Sequence, residues 1–280
     1  MLNIPVYDKY NGEKKIALLD NSTIAFMQQL EYKGCHPEYL LQGYDVIFLP
    51  EWVAEEVQDS EYRERYAEEL CRKGIPIRLI REAFYGELMD GEEIYLYQIV
   101  KASVSRLGAF LKYMRLNVEK KNLLDMDAYE DWVRDMYANW PMDSEVTITG
   151  RLKKKNAGEI SLTILAEIFS WHYSDTDILT VYTQDTDAYE FQKSAEEKLK
   201  KEFADRFPVS VTYRSNDSIL CQLYRDGQLT LEKVRELRKD ARTVTYTVMR
   251  EDKTIAVETR GLSNEEFCGL VQDEAVQIVF

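Results

Sequence analysis

Short continuous apolar runs alternate with helical patterns along most of this chain, and that alternation restricts its fold more than any other feature. Residues 16–19 (IALL) read as a buried strand and 21–31 as a helix. Residues 45–49 (DVIFL) form a second strand, followed by a helix over about 51–73, and 75–80 (IPIRLI) a third. Residues 178–183 (ILTVYT) form a fourth strand with a helix over 187–205; residues 208–213 (PVSVTY) form a fifth, with a short helix near 218–224. A strand covered on both faces loses the polar/apolar alternation of a half-exposed one, because neither side meets water. Five such strands separated by helices predict an α/β fold with a doubly wound, parallel five-stranded sheet. Ligands of such sheets bind beyond the carboxyl ends of the strands, where the strand order reverses. Asp20 and Asp185 fall at those ends.

Between the third and fourth strands, residues 81–177 read as mostly helical. Residues 92–116 carry Ile94, Leu96, Ile99, Val100, Val104, Leu107, Phe110, Leu111 and Met114 at near-helical spacing. Residues 127–140 predict another helix, ended by Pro141. Residues 142–156 read as an exposed connection holding the basic run Arg151, Leu152, Lys153, Lys154, Lys155; an amphipathic helix over 157–172 follows and carries Glu159. The last forty residues change character. Residues 242–249 and 254–259 flank a turn at Glu251-Asp252-Lys253 and predict a hairpin. A short helix over 263–271 and a final strand over 276–280 complete it, and a helix over 231–239, N-capped by Thr230, joins it to the rest. The expected division is therefore 1–227, with a helical insertion at about 84–156, and a small β-rich C-terminal appendage at 228–280.

Composition narrows the function. No run of 18 apolar residues and no secretory pattern occurs, so neither a membrane span nor export is expected. Cys35, Cys71, Cys221 and Cys268 are scattered without a CxxC pair, and His36 and His172 are the two histidines. That argues against zinc and for free thiols in a reducing, cytoplasmic setting. The net charge of −14 opposes a protein that coats nucleic acid through a broad basic face. It leaves room for an enzyme that touches a few nucleotides at a metal-loaded cleft, because bound divalent ions invert the local charge.

Four acidic motifs stand at strand ends or in the helices that follow: Asp20 after IALL, Glu56 in a V-x-x-E step after a strand ending in Pro50, Gly158-Glu159, and Thr183-x-Asp185-x-Asp187. Gathered carboxylates repel one another, and oxygen-rich acidic sites suit Mg²⁺ or Mn²⁺. Each residue also has an ordinary reading. Asp20 and one of Asp185 and Asp187 suit helix caps, with Asp185 the better ligand and Asp187 the better cap or second ligand. Glu159 suits a first helical turn, where the dipole favours a carboxylate. Glu56 competes with Glu51 and Glu55. Asn216 and Asp217 follow the fifth strand at the same sheet end.

In order and context these motifs resemble the PIN-domain family of metal-dependent nucleases. Asp20 followed by Asn21-Ser22-Thr23 resembles its strand-Asp-(Ser/Thr) opening, Glu56 its second acidic position, Gly158-Glu159 with Ala166 a Gly-Glu variant of its third, and Thr183-x-Asp185 its Thr-x-Asp element. The resemblance spans about residues 15–225. The chain departs from compact members in its long segment at about 84–156 and its tail after Arg242. The resemblance implies one or two Mg²⁺ or Mn²⁺ held by Asp20, Glu56, Glu159 and Asp185, with Asp187 as a further ligand. It also implies metal-activated water and a 5′-phosphate product. Asn21, Ser22 and Thr183 would orient the ligands. Arg151, Lys153, Lys154 and Lys155 would meet the substrate phosphates. The implied partner is nucleic acid, RNA before DNA; room is left for an inhibitory or assembly protein and for a homodimer. Two other readings remain: a non-catalytic interaction module on the same fold, and a small-molecule phosphotransferase, which lacks a Gly-rich phosphate loop.

Overall fold

In a computed structural model, residues 2–89, 96–124, 126–146, 150, 152–238, 241–250 and 253–280 are described. Of the residues singled out above, Ile94, Arg151, Lys239, Glu251 and Asp252 lie outside them. In chain order the elements are β1 (Lys15–Leu19), α1 (Asn21–Tyr32), β2 (Val46–Pro50), α2 (Glu51–Val57), α3 (Glu61–Arg72), β3 (Ile77–Ile80), α4 (Tyr85–Leu88), α5 (Leu96–Ser103), α6 (Gly108–Met114), α7 (Tyr129–Ala138), β4 (Ser144–Val146), β5 (Leu152–Lys154), α8 (Ala157–Trp171), β6 (Ile178–Tyr182), α9 (Thr186–Glu202), β7 (Val211–Arg214), α10 (Asn216–Arg225), α11 (Leu231–Leu237), β8 (Arg242–Met249), β9 (Ile255–Leu262) and α12 (Asn264–Gln272).

The central sheet is all parallel, in the order β3-β2-β1-β6-β7. Ile16 to Leu19 and Val46 to Leu49 are buried, as their unbroken apolar runs require. The chain winds outward from β1 to β3, then crosses back to β6 on the other side of β1. Right-handed crossovers put the helices of the two halves on opposite faces. The packing of α1 on α3, and of α8 on α9, β1, β2 and β6, agrees. The order reverses between β1 and β6, whose residues pair in register from Lys15 with Ile178 to Leu19 with Tyr182.

Several expected elements take a different form. The helix expected over 51–73 divides into α2 and α3, because Gln58-Asp59-Ser60 intervenes and Ser60 becomes the N-cap residue of α3. The pattern over 92–116 yields α5 and α6, with α6 restarting at Gly108, a poor helix former. The expected strand over 75–80 pairs only from Ile77, after Pro76. The expected connection over 142–156 contains an antiparallel hairpin, β4 with β5. The helix expected to be amphipathic, α8, is buried along its length except at Glu159, being wrapped by the sheet, α2, α5 and α9. The final strand is a bridged segment beside β8, with Thr245 donating to Phe280 and Thr247 to Gln277.

Among the contacts that fasten the C-terminal appendage to the sheet domain, which include Arg225 donating to the Asp273 and Val276 carbonyls, two points stand out. Arg238 is fully buried and donates Nε to both oxygens of Asp217, at 3.3 and 3.1 Å, and Nη1 to Leu262 and Asn264. Arg242 also binds Asp217. Asp217 is thereby committed to the appendage. At the second point, Phe280 stacks on Tyr189 at 5.2 Å between ring centroids.

Candidate functional site

Asp20 leaves β1 at the switch point. Its N–H donates to Tyr182, extending the β1–β6 ladder, and its carboxylate caps α1 by accepting from Asn21 N–H at 2.7 Å. Ser22 and Thr183 donate hydroxyls to Asp20 Oδ2. Burial raises the Asp20 pKa, these three hydrogen bonds oppose the rise, and Asp185 adds to it. Thr183 follows β6 and is fully buried. Its Oγ1 accepts from Asp185 N–H at 2.9 Å, so one hydroxyl aligns both aspartates. Gln184 N–H donates to Ser22 Oγ at 3.0 Å, locking the two loops together.

Asp185, rather than Asp187, caps α9: its Oδ1 accepts from Asp187 N–H at 2.8 Å. Asp187, expected to be the cap or a second ligand, is instead exposed in the first turn. Asp185 faces Glu159 instead. The Glu159 carboxyl is pushed up to about 9 by burial, by the Asp20 charge and by a hydrogen bond with Asp185. Burial and these neighbours all favour the protonated form of Glu159.

Glu56 reaches the site from α2. Burial raises its pKa, Lys153 opposes this and Asp20 adds to it. Its Oε2 lies 3.3 Å from Lys153 Nζ and 3.5 Å from Asn21 Nδ2. Arg63 holds Asn21 from the other side through Oδ1, a contact between α1 and α3 that no motif announced. Glu55 instead accepts from the Tyr137 hydroxyl. Gly158 explains the Gly-Glu pair: a Cβ there would lie 3.3 Å from Val53 Cγ2 and 3.5 Å from Glu56 Oε1. The missing Cβ lets α8 deliver Glu159 beside Glu56 without displacing Val53.

Behind the site lies a network absent from the sequence reading. Pro50 begins α2 without a side-chain cap, and Glu82 supplies one from after β3, accepting from Trp52 N–H at 3.1 Å. Glu82 also accepts from Ser161 Oγ at 2.6 Å, and Ser161 contacts the Tyr85 hydroxyl at 2.9 Å. Burial pushes Glu82 up to about 8. It thereby ties α2, which carries Glu56, to α8, which carries Glu159.

The donors present fit a hard divalent cation. All are carboxylate oxygens, and among the described residues no N–H or O–H donates to the buried atoms Glu56 Oε1 and Glu159 Oε2. The trio of ligand atoms mutually within 4.8 Å is elsewhere, at Glu31, His36 and Glu38. There Lys73 Nζ already binds Glu31 and lies 3.2 Å from Glu38, so an ammonium answers that charge. Among the described residues no three switch-point carboxyl groups bring their oxygens that close to one another. Of the basic run, Lys153 turns inward to Glu56, Lys154 lies over the Tyr137 ring at 4.0 Å and Lys155 is exposed. Asn216 donates its N–H to Gln184 Oε1 at 3.0 Å.

Comparison of the chain with models of known families, with curated proteins and with solved structures finds no match. Among the described residues no helix is long and apolar enough to cross a membrane.

Proposed function

We propose that this chain is a divalent-metal-dependent phosphodiester hydrolase of PIN-domain type, acting on RNA in preference to DNA. The observation that carries the reading is the convergence of Asp20, Glu56, Glu159 and Asp185. They come from four separate elements near the reversal of strand order, close enough for their charges to act on one another. Asp20, Glu159 and Asp185 would hold Mg²⁺ or Mn²⁺, with Glu56 at the edge of the same site. The bound ion would lower the pKa of a water molecule and offset charge on the phosphate. The chain's own part is positioning. Thr183 and Ser22 fix the Asp20 carboxylate, α9 fixes Asp185 through its cap, and Gly158 admits Glu159 beside Glu56. The choice of RNA, and the 5′-phosphate product, rest on the family resemblance alone.

The net charge of −14 favours a second reading, a non-catalytic interaction module that keeps the same fold. The test is a mixed pool of single-stranded RNA and DNA incubated with Mn²⁺, comparing wild type with Asp20→Asn. Cleavage by the wild type that is lost in the variant supports the hydrolase. Absence of both cleavage and Mn²⁺ binding supports the interaction module.

A further inference from the structure

Lys153 occupies a place that its sequence context does not suggest. The β4–β5 hairpin carries its ammonium to within 3.3 Å of Glu56 Oε2, with the lysine side chain 40% exposed and that of Glu56 13% exposed. The pair therefore stands at the mouth of the site. The hairpin is held there independently of this contact. Lys154 sits over Tyr137, the Tyr137 hydroxyl binds Glu55 of α2, and Trp140 Nε1 donates to the Lys155 carbonyl at 3.1 Å. A lysine anchored on both sides is built into the site.

The charges divide the four carboxylates into two groups. Glu56 has a countercharge in Lys153 and an amide in Asn21. Among the described residues, the donors to Asp20 are all neutral: Asn21 N–H, Ser22 Oγ and Thr183 Oγ1. Asp185 accepts from Asp187 N–H. Among the described residues neither Asp20, Glu159 nor Asp185 shows an ion pair. Among the described residues, three of the four carboxyl groups thus have no cation beside them and the fourth has Lys153.

Resting on the hydrolase reading above, we infer that the site takes one divalent ion, on Asp20, Glu159 and Asp185. Lys153 is its second cation, presented at Glu56 to the substrate phosphate. An ammonium is a compact charge with three donors, so one N–H can hold Glu56 while another meets a phosphate oxygen. Positive charge fixed in advance where negative charge accumulates needs no rearrangement during reaction. Lys153 therefore touches substrate, whereas Tyr137 and Trp140 act by positioning it.

Calorimetric titration of the full chain with Mn²⁺ alone tests this without any substrate. The wild type should bind one ion at the site, identified as the ion lost in Asp185→Asn. Lys153→Met should bind that ion about tenfold or more tighter, because a like charge has gone, and should take up a second ion at Glu56. Glu56→Gln, which leaves the three-carboxylate group intact, should still bind one ion. Two site ions in the wild type would overturn the inference and leave the hydrolase reading standing, as would a Lys153→Met protein with unchanged stoichiometry and affinity. No Mn²⁺ binding by the wild type would overturn both. Circular dichroism confirms that each variant is folded before it is titrated.

Discussion

Thr183 donates its hydroxyl to Asp20 at 2.8 Å, joining two residues 163 positions apart. The contact exists because β1 and β6 are parallel neighbours, so both chains emerge from the sheet at the same end. The same oxygen accepts the Asp185 N–H. One side chain thus sets the spacing of two carboxylates that would otherwise move apart.

Thr183→Val keeps the shape and removes the hydroxyl. Asp20 and the Asp185 N–H then each lose a buried partner, which costs about 1–3 kcal/mol. Ligands whose supporting bonds are lost bind metal about 10–100-fold more weakly. Urea unfolding and Mn²⁺ titration should show both effects, and Thr183→Ser should restore them.

Gly158→Ala sets two effects against each other. Alanine gains up to about 1 kcal/mol of helix propensity, while overpacking costs about 1–3 kcal/mol. The added Cβ would meet Val53 at 3.3 Å in a fully buried part of α8, so the contact outweighs the propensity. A net loss of about 1 kcal/mol is expected in denaturant unfolding, with weakened Mn²⁺ binding as Glu56 is displaced.

Glu167 gives a pH signature. Burial first, then Glu196, push its carboxyl from the ordinary 4.5 up to about 8. Its Oε2 accepts from Trp171 Nε1 at 2.8 Å. The folded state keeps this proton up to about pH 8, and the unfolded chain releases it near pH 4.5. Folding therefore takes up a proton between those values, and stability falls as pH rises through that window, by at most about 1.4 kcal/mol per pH unit. Glu167→Gln keeps the acceptor for Trp171 and cannot ionise. Its stability relative to wild type should grow between pH 5 and 8 in urea titrations; a constant difference would contradict the assignment.

Asp217→Ala strips the carboxylate from an Arg238 that is fully buried. Removing one partner of a buried pair costs about 3–5 kcal/mol. Denaturant unfolding should show the loss, and trypsin should cut earlier between the sheet domain and the appendage. Replacing Arg238 by Met as well should recover part of it, because the stranded charge is gone.

The five strands of the main sheet were legible because strands buried on both faces announce themselves as continuous apolar runs. Asp20 and Asp185 were legible for a related reason: a polar residue ending such a run has to leave the sheet at its carboxyl edge. Glu167 was not, since it has the spacing of a solvent-facing residue on an amphipathic helix. Its burial comes from α9 and the insertion, which no local pattern encodes. Lys153 looked like one charge in an exposed basic run, and its turn toward Glu56 depends on the β4–β5 hairpin folding back over α2. Glu82 and Asp217 were illegible in the same sense. Their partners lie at Trp52, Ser161, Arg238 and Arg242, far along the chain, and were fixed only when the helices packed.

The central claim is that the switch-point carboxylates form one cation centre. Anomalous diffraction from crystals grown with Mn²⁺ tests it most directly. We expect a manganese peak within about 2.0–2.6 Å of oxygens from Asp20, Glu159 and Asp185, absent in Asp185→Asn crystals. No peak there, or manganese solely at Glu31, His36 and Glu38, would contradict the claim.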